Sequence, residues 1–123
     1  MKLEINPDNS TYVIRSYTDK GIRVNDHILT QSFVIMPDQL IQNWQPDRFS
    51  DLCSNDLELI VDLDPEIIIL GSGKNLSFPE ISLTASIRSK GIGFEVMDTY
   101  AACRCYSILV SEGRNVAAGI ILE

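Results

Sequence analysis

The chain has 123 residues and carries 17 Asp and Glu against 10 Lys and Arg, a net charge of −7. That balance argues against a nucleic-acid binder, which holds phosphates with a basic patch. With 45% hydrophobic and 22% charged residues, the composition excludes a disordered chain; the length suits a single domain, 1–123, that needs no disulfide or metal staples.

One histidine and three cysteines leave little for a zinc site or a histidine-based triad. No metal, no cofactor and no catalytic residue is expected. The opening residues MKLEINPDNS lack the apolar core and cleavage site of a signal peptide and the arginines of a transit peptide. The longest apolar runs, Ile67–Leu70 and Val116–Leu122, fall far short of the roughly 20 residues a spanning helix needs. The expectation is a cytoplasmic protein with no transmembrane segment, with peripheral docking on a membrane complex left open.

In chain order, Thr11–Tyr17, Ile22–Val24 and Ile28–Ile35 read as strands, separated by turns at Asp19-Lys20-Gly21 and Asn25-Asp26. Ile41–Trp44 follows as a fourth, completing an antiparallel meander. Beyond Pro46 the pattern changes. Asn55 with Glu58 spells a capping box, and Leu57, Ile60 and Val61 recur at helical spacing until Pro65. Ile67–Leu70 is a continuous apolar run suited to a strand covered on both faces, and the glycine-rich turn Gly71-Ser72-Gly73-Lys74-Asn75 follows it. Ser77 with Glu80 predicts a helix reaching about Lys90, stopped by Gly91 and Gly93. Phe94–Met97 is a strand. Asp98 or Thr99 caps a helix that carries Ala101, Ala102, Cys105 and Leu109 on one stripe, and Val116–Leu122 is a last buried strand. Helix and strand alternating in this way predict an α/β fold with a mostly parallel sheet and helices on its faces. The N-terminal strands extend that sheet or form a second one.

Chemistry is expected at the carboxyl ends of the parallel strands, where open α/β sheets bind ligands. Gly71, Ser72, Gly73 and Lys74 follow one such strand; their backbone N–H groups could attract an anion. They match neither a dinucleotide fingerprint nor a phosphate loop; the plain alternative is a tight turn. Asp98, Thr99 and Arg104 follow another strand. Arg104 could grip an anion with its planar fork, or Asp98 could simply cap its helix while Arg104 makes an ion pair. His27, alone in the strand-rich half, reads as a surface residue, and Trp44 as a core anchor or an exposed anchor for a partner. Cys53, Cys103 and Cys105 read as free thiols. Positions 103 and 105 point to different sides of a helix, which favours two small buried hydrophobes over a redox pair; a redox-sensing thiol is the weaker alternative.

Glu66–Gly73 (EIIILGSG), Gly91–Asp98 (GIGFEVMD) and Thr99–Leu109 (TYAACRCYSIL) stand together in a recognisable order. Glu112-Gly113-Arg114 and Val116-Ala117-Ala118 follow them, and Ser32, Pro37, Trp44 and Pro65-Glu66 precede them. With these motifs nearly the whole chain resembles the small-domain family that includes mitochondrial complex I assembly factor 3 and many uncharacterised bacterial and archaeal proteins. The most specific block is Met97, Asp98, Thr99, Ala102, Cys103 and Arg104. The resemblance implies a three-layer α/β domain with a mixed sheet, and it places Gly71, Gly73, Asp98, Thr99, Arg104, Glu112 and Arg114 at family positions. Ser72 and Cys105 depart from it, standing where the family often has Thr. It further implies a bacterial, non-enzymatic interaction or assembly module, with a protein partner among respiratory-chain assembly components. The alternative is a small anion-ligand binder or enzyme using Gly71–Asn75, Asp98 and Arg104. A pocket joining those residues would favour the alternative; an exposed apolar patch without one would favour the module.

Overall fold

A computed structural model describes residues 11–123 with their side chains and residues 2–5 as backbone; most of the opening segment read above for targeting signals lies outside them. The elements run β1 (Lys2–Ile5), β2 (Ile14–Thr18), β3 (Gly21–Val24), β4 (His27–Leu29), β5 (Phe33–Ile35), β6 (Gln39–Gln42), α1 (Ser54–Val61), β7 (Ile67–Gly71), α2 (Ala85–Ser89), β8 (Gly93–Met97), α3 (Thr99–Ser111) and β9 (Val116–Ile120), with 3-10 turns at Phe49–Asp51 and Ile81–Thr84. Six strands form the main sheet in the order β1-β6-β5-β9-β7-β8, and β2-β3-β4 form a second.

The three apolar runs of the second half are the expected strands β7, β8 and β9. They pair in parallel, with Ile68 opposite both Phe94 and Ala117. The N-terminal strands do both things the sequence allowed: β2–β4 make a separate antiparallel sheet, while β5, β6 and β1 extend the main one. The sheet is mixed as expected. Its parallel share is confined to β9-β7-β8, because β5 joins β9 antiparallel and brings β6 and β1 with it in the same sense.

Alternation along the strands divides the core into two faces, as a period of two requires. Val34, Ile41, Ile68, Leu70 and Ala117 point to one side, where Trp44, Leu57 and Ile60 of α1 and Ile87 of α2 cover them. Phe33, Ile35, Ile69, Ala118 and Ile120 point to the other, against Ala102, Cys103 and Tyr106 of α3 and Ile22, Val24 and Leu29 of the small sheet. Trp44 is a core residue; its indole N–H donates to the Asp56 carbonyl (3.3 Å). A Cβ on Gly119 would come within 2.8 Å of that ring, so only glycine lets β9 pass beneath it. On the opposite face the Tyr106 hydroxyl donates to the Tyr12 carbonyl (2.9 Å).

Four local readings are corrected. The box capping α1 is Cys53 with Asp56, two residues earlier than expected: the Asp56 carboxylate accepts from the Cys53 N–H (2.9 Å) and thiol (3.3 Å). The expected helix from Ser77 does not form there. Residues 77–80 are irregular, a 3-10 turn follows, and α2 spans only Ala85–Ser89. Serine and threonine side chains compete for the backbone in this stretch: Ser72 Oγ captures the Ser77 N–H (3.1 Å), and Thr84 Oγ1 donates to the Ile81 carbonyl (2.8 Å). The run Ile28–Ile35 divides into β4 and β5, which belong to different sheets. Finally, β9 ends at Ile120 rather than Leu122.

Candidate functional site

The parallel register sets the corner. Gly71 lies opposite Met97, so the loop after β7 and the start of α3 leave the sheet side by side, as the sequence predicts. Two backbone hydrogen bonds and the Thr99 side chain then tie them. The Ser72 N–H donates to the Met97 carbonyl (2.9 Å) and the Thr99 N–H to the Gly73 carbonyl (2.8 Å). The Thr99 hydroxyl accepts from the Gly73 N–H (2.9 Å) and donates to the Ile121 carbonyl (2.7 Å). Thr99 is buried, so one side chain holds the ends of β7, β9 and α3 together. Gly71 is required by close approach, since a Cβ there would meet Thr99 Oγ1 at 3.0 Å and the Ala102 methyl at 3.1 Å. Gly73 has φ +106°, where a side chain is strained.

Asp98 caps α3, accepting from the Ala101 N–H (3.0 Å). The Ser72 hydroxyl donates to the Asn75 carbonyl (2.7 Å) and accepts from the Ser77 N–H. The N–H groups of Ser72, Gly73, Ser77, Thr99 and Ala101 are thus engaged within the chain, and an anion reaching them would have to displace internal partners. Ala102 faces the sheet, fully buried; Ala101 is half-buried.

A cleft of about 140 Å³ opens beside this corner, well below the roughly 300–1,000 Å³ that usual ligand pockets occupy. Gly73, Lys74 and Thr99 line it together with Thr18, Lys20 and Gly21 of the β2–β3 turn, Thr30, Tyr100 and Glu123. Gly71, Ser72, Asp98 and Arg104 do not line it. Tyr100 closes one side, its hydroxyl donating to Asp19 Oδ1 (3.0 Å) and its ring tilted over Tyr17 at 5.2 Å between centroids. That hydrogen bond raises the Tyr100 pKa. Arg104 is exposed and turns to the Tyr17 side chain, whose hydrogen bond raises the guanidinium pKa. A larger groove of about 530 Å³ lies between Thr11–Arg15 and the Tyr106–Ser111 stretch of α3, away from every sequence-predicted site residue. The β2–β3 turn was legible as a turn, but its arrival beside residue 73 is a long-range event that no local pattern announces.

The other candidates fall elsewhere. Arg114 pairs with Glu66 (3.0 Å), which also accepts from the Asn115 N–H (2.9 Å), at the opposite end of β7 from Gly71. The Asn115 N–H first and then Arg114 hold the Glu66 carboxyl below its ordinary pKa. His27 is exposed on β4. Cys53 is exposed and Cys103 buried, with Cys105 between them; burial pushes the Cys103 thiol up to about 12, the wrong direction for a reactive thiolate. Among the described residues no helix is long and apolar enough to cross a membrane.

Sequence reasoning missed one surface. Leu76, Phe78 and Ile81 are 54, 70 and 75% exposed. These three of the five exposed large apolar residues among the described residues fall within six positions, and Phe78 and Ile81 lie in the segment expected to be helical. Their i, i+3 spacing reads as a covered helix face, which hid their exposure.

The family model described as Protein of unknown function (DUF498/DUF598) matches residues 14–121. The chain is 31% identical over 111 residues, 89% of its length and 63% of the relative's, to NADH dehydrogenase [ubiquinone] 1 alpha subcomplex assembly factor 3 of Danio rerio. It is 35% identical over 78 residues, 61% of its length and 63% of the relative's, to a 13 kDa major membrane protein of Francisella tularensis. It thus spans about three-fifths of the length of these relatives. An NMR structure of a Xanthomonas campestris protein superposes with a TM-score of 0.83 at 36% identity, covering 98% of this chain and 92% of that one.

Proposed function

The chain belongs to the family described as Protein of unknown function (DUF498/DUF598), and on that footing we propose that it is an assembly factor, a module that works by holding another protein rather than by turning over a substrate. The observation that carries this reading is the similarity to complex I assembly factor 3 across 89% of the chain. The geometry of the site supports it: the N–H groups of Ser72, Gly73, Ser77, Thr99 and Ala101 are spent inside the chain, and Arg104 and Asp98 stay outside the cleft. The partner class is a subunit of a respiratory-chain complex, and the place of action is the cytoplasm or the membrane face bordering it. Affinity capture of the tagged protein from its own cells, with quantitative mass spectrometry, tests this. Enrichment of respiratory-complex subunits is expected; a folded bait that enriches none of them sinks the proposal.

One observation favours a second reading, a small anionic ligand in the cleft. Lys20 and Lys74 both line it and neither forms an ion pair with a described residue, whereas Asp19 and Glu123 already accept hydrogen bonds. A small molecule recurring in native mass spectra of the purified protein, lost in Lys20→Gln/Lys74→Gln, would establish it.

A further inference from the structure

We propose that the ridge Leu76–Phe78–Ile81 docks on an anionic lipid surface, its apolar tips entering the headgroup boundary. This goes beyond the assembly reading and stands or falls without it. The first observation is shape. Leu76, Phe78 and Ile81 are 54, 70 and 75% exposed and line none of the clefts described above. They lie on a loop and the 3-10 turn Ile81–Thr84, and Arg88 of α2 locks the base of the ridge, its guanidinium donating to the Ile81 carbonyl (2.9 Å) and the Thr84 hydroxyl (3.2 Å).

The second observation is charge. Between Gly71 and Gly93 the sequence holds Lys74, Arg88 and Lys90 against Glu80 alone, a net +2 in a chain of −7. None of the three cations forms an ion pair with a described residue. The exposed carboxylates on and just after α1, which packs against this segment, are Glu58 and Asp62; neither pairs with these cations, and Arg88 is held by the Ile81 carbonyl and the Thr84 hydroxyl. An acidic protein whose two most exposed large apolar side chains among the described residues, Phe78 and Ile81, lie in a segment of net +2 is matched there to a surface that is anionic outside and apolar within.

Other occupants fit less well. A second copy placed by two-fold symmetry would set these cations against their own images. A protein partner would need a matching groove and a standard interface of about 1,600 Å², far more than three side chains offer. A bilayer accepts a convex tip without shape matching.

The test is co-sedimentation of the full chain with vesicles of phosphatidylcholine alone and of an equimolar phosphatidylcholine–phosphatidylglycerol mixture. Binding to the mixed vesicles is expected. Phe78→Ser/Ile81→Ser should reduce it at least tenfold. Lys74→Gln and Lys90→Gln should each reduce it about fivefold, the effect of one juxtamembrane lysine. A Phe78→Trp variant supplies an independent readout, because Trp44 is buried and constant: its added emission should shift to the blue on the mixed vesicles. Absence of wild-type binding, or equal binding by the double serine variant, overturns the proposal. Equal binding to both vesicle types overturns the requirement for anionic lipid. Self-association without vesicles that the double variant abolishes reassigns the ridge to contacts between copies and overturns it too.

Discussion

The corner where the loop after β7 meets Thr99 and the ridge around Phe78 stand within a few residues of each other on the chain that leaves β7, and they solve opposite problems. At the corner the N–H groups of Ser72, Gly73, Ser77, Thr99 and Ala101 have partners inside the chain, and Thr99 alone satisfies a donor on the Gly73 loop and an acceptor beyond β9. At the ridge large apolar side chains stand in solvent. Polar, glycine-rich sequence at a strand's carboxyl end invites a ligand reading, and here the same residues also join strand to helix, while the apolar stretch after them stays exposed. Burial and partner satisfaction separate the two roles; residue type alone does not.

Substitutions sharpen this contrast. The largest effect is expected from Thr99→Val, which keeps the shape but orphans two buried backbone groups, at about 2–5 kcal/mol; a denaturant midpoint within error of wild type would show that water replaces the hydroxyl and that the corner is not a joint. Next is Ala102→Leu. Ala102 is fully buried against Gly71, and overpacking should cost roughly 1–3 kcal/mol, read by thermal melt. Asp98→Ala removes the cap of α3 at about 1 kcal/mol, with Asp98→Asn retaining most of it. Arg104→Ala should leave the melting curve unchanged, since the side chain is exposed and turned to Tyr17; loss of captured partners from that variant, still melting normally, would place the partner surface on α3. The smallest effect belongs to Phe78→Ser, within about 0.5 kcal/mol as for other surface changes. A large loss there would mean Phe78 packs, and the contrast between corner and ridge would collapse.

Much of this was legible in the sequence, and the failures share a cause. The continuous run Ile67–Leu70 announced a strand covered on both faces, and Asp98 before an apolar helix announced its cap; both signals are local and strong. Ser77 with Glu80 carried the same capping signature and misled, because Ser72, five residues back, takes the Ser77 N–H. The run Ile28–Ile35 has strand composition throughout, but Ile28 belongs to the small sheet and is 62% exposed while Phe33 belongs to the main one. Which sheet a strand joins is decided by its partners, and those are distant in sequence. Likewise Gly71–Asn75 and Asp98–Arg104 are expected to meet: the Gly73 loop and Thr99 do, since parallel neighbours deliver their ends to one edge, whereas Arg104, further along α3, turns to Tyr17. The arrival of the Thr18–Gly21 turn in the cleft depends on how the second sheet packs over α3, which no spacing encodes.

The position of β9 has a consequence for synthesis. It is the latest strand in the described chain, yet it lies in the middle of the main sheet, bonded to β5 on one side and β7 on the other. Until residues 116–120 leave the ribosome, β6-β5 and β7-β8 are two fragments, each with an open edge facing the gap. A nascent chain therefore waits with two adhesive edges exposed and joins them in one late step. A message broken just before codon 116 would release a product with both edges bare and prone to aggregate.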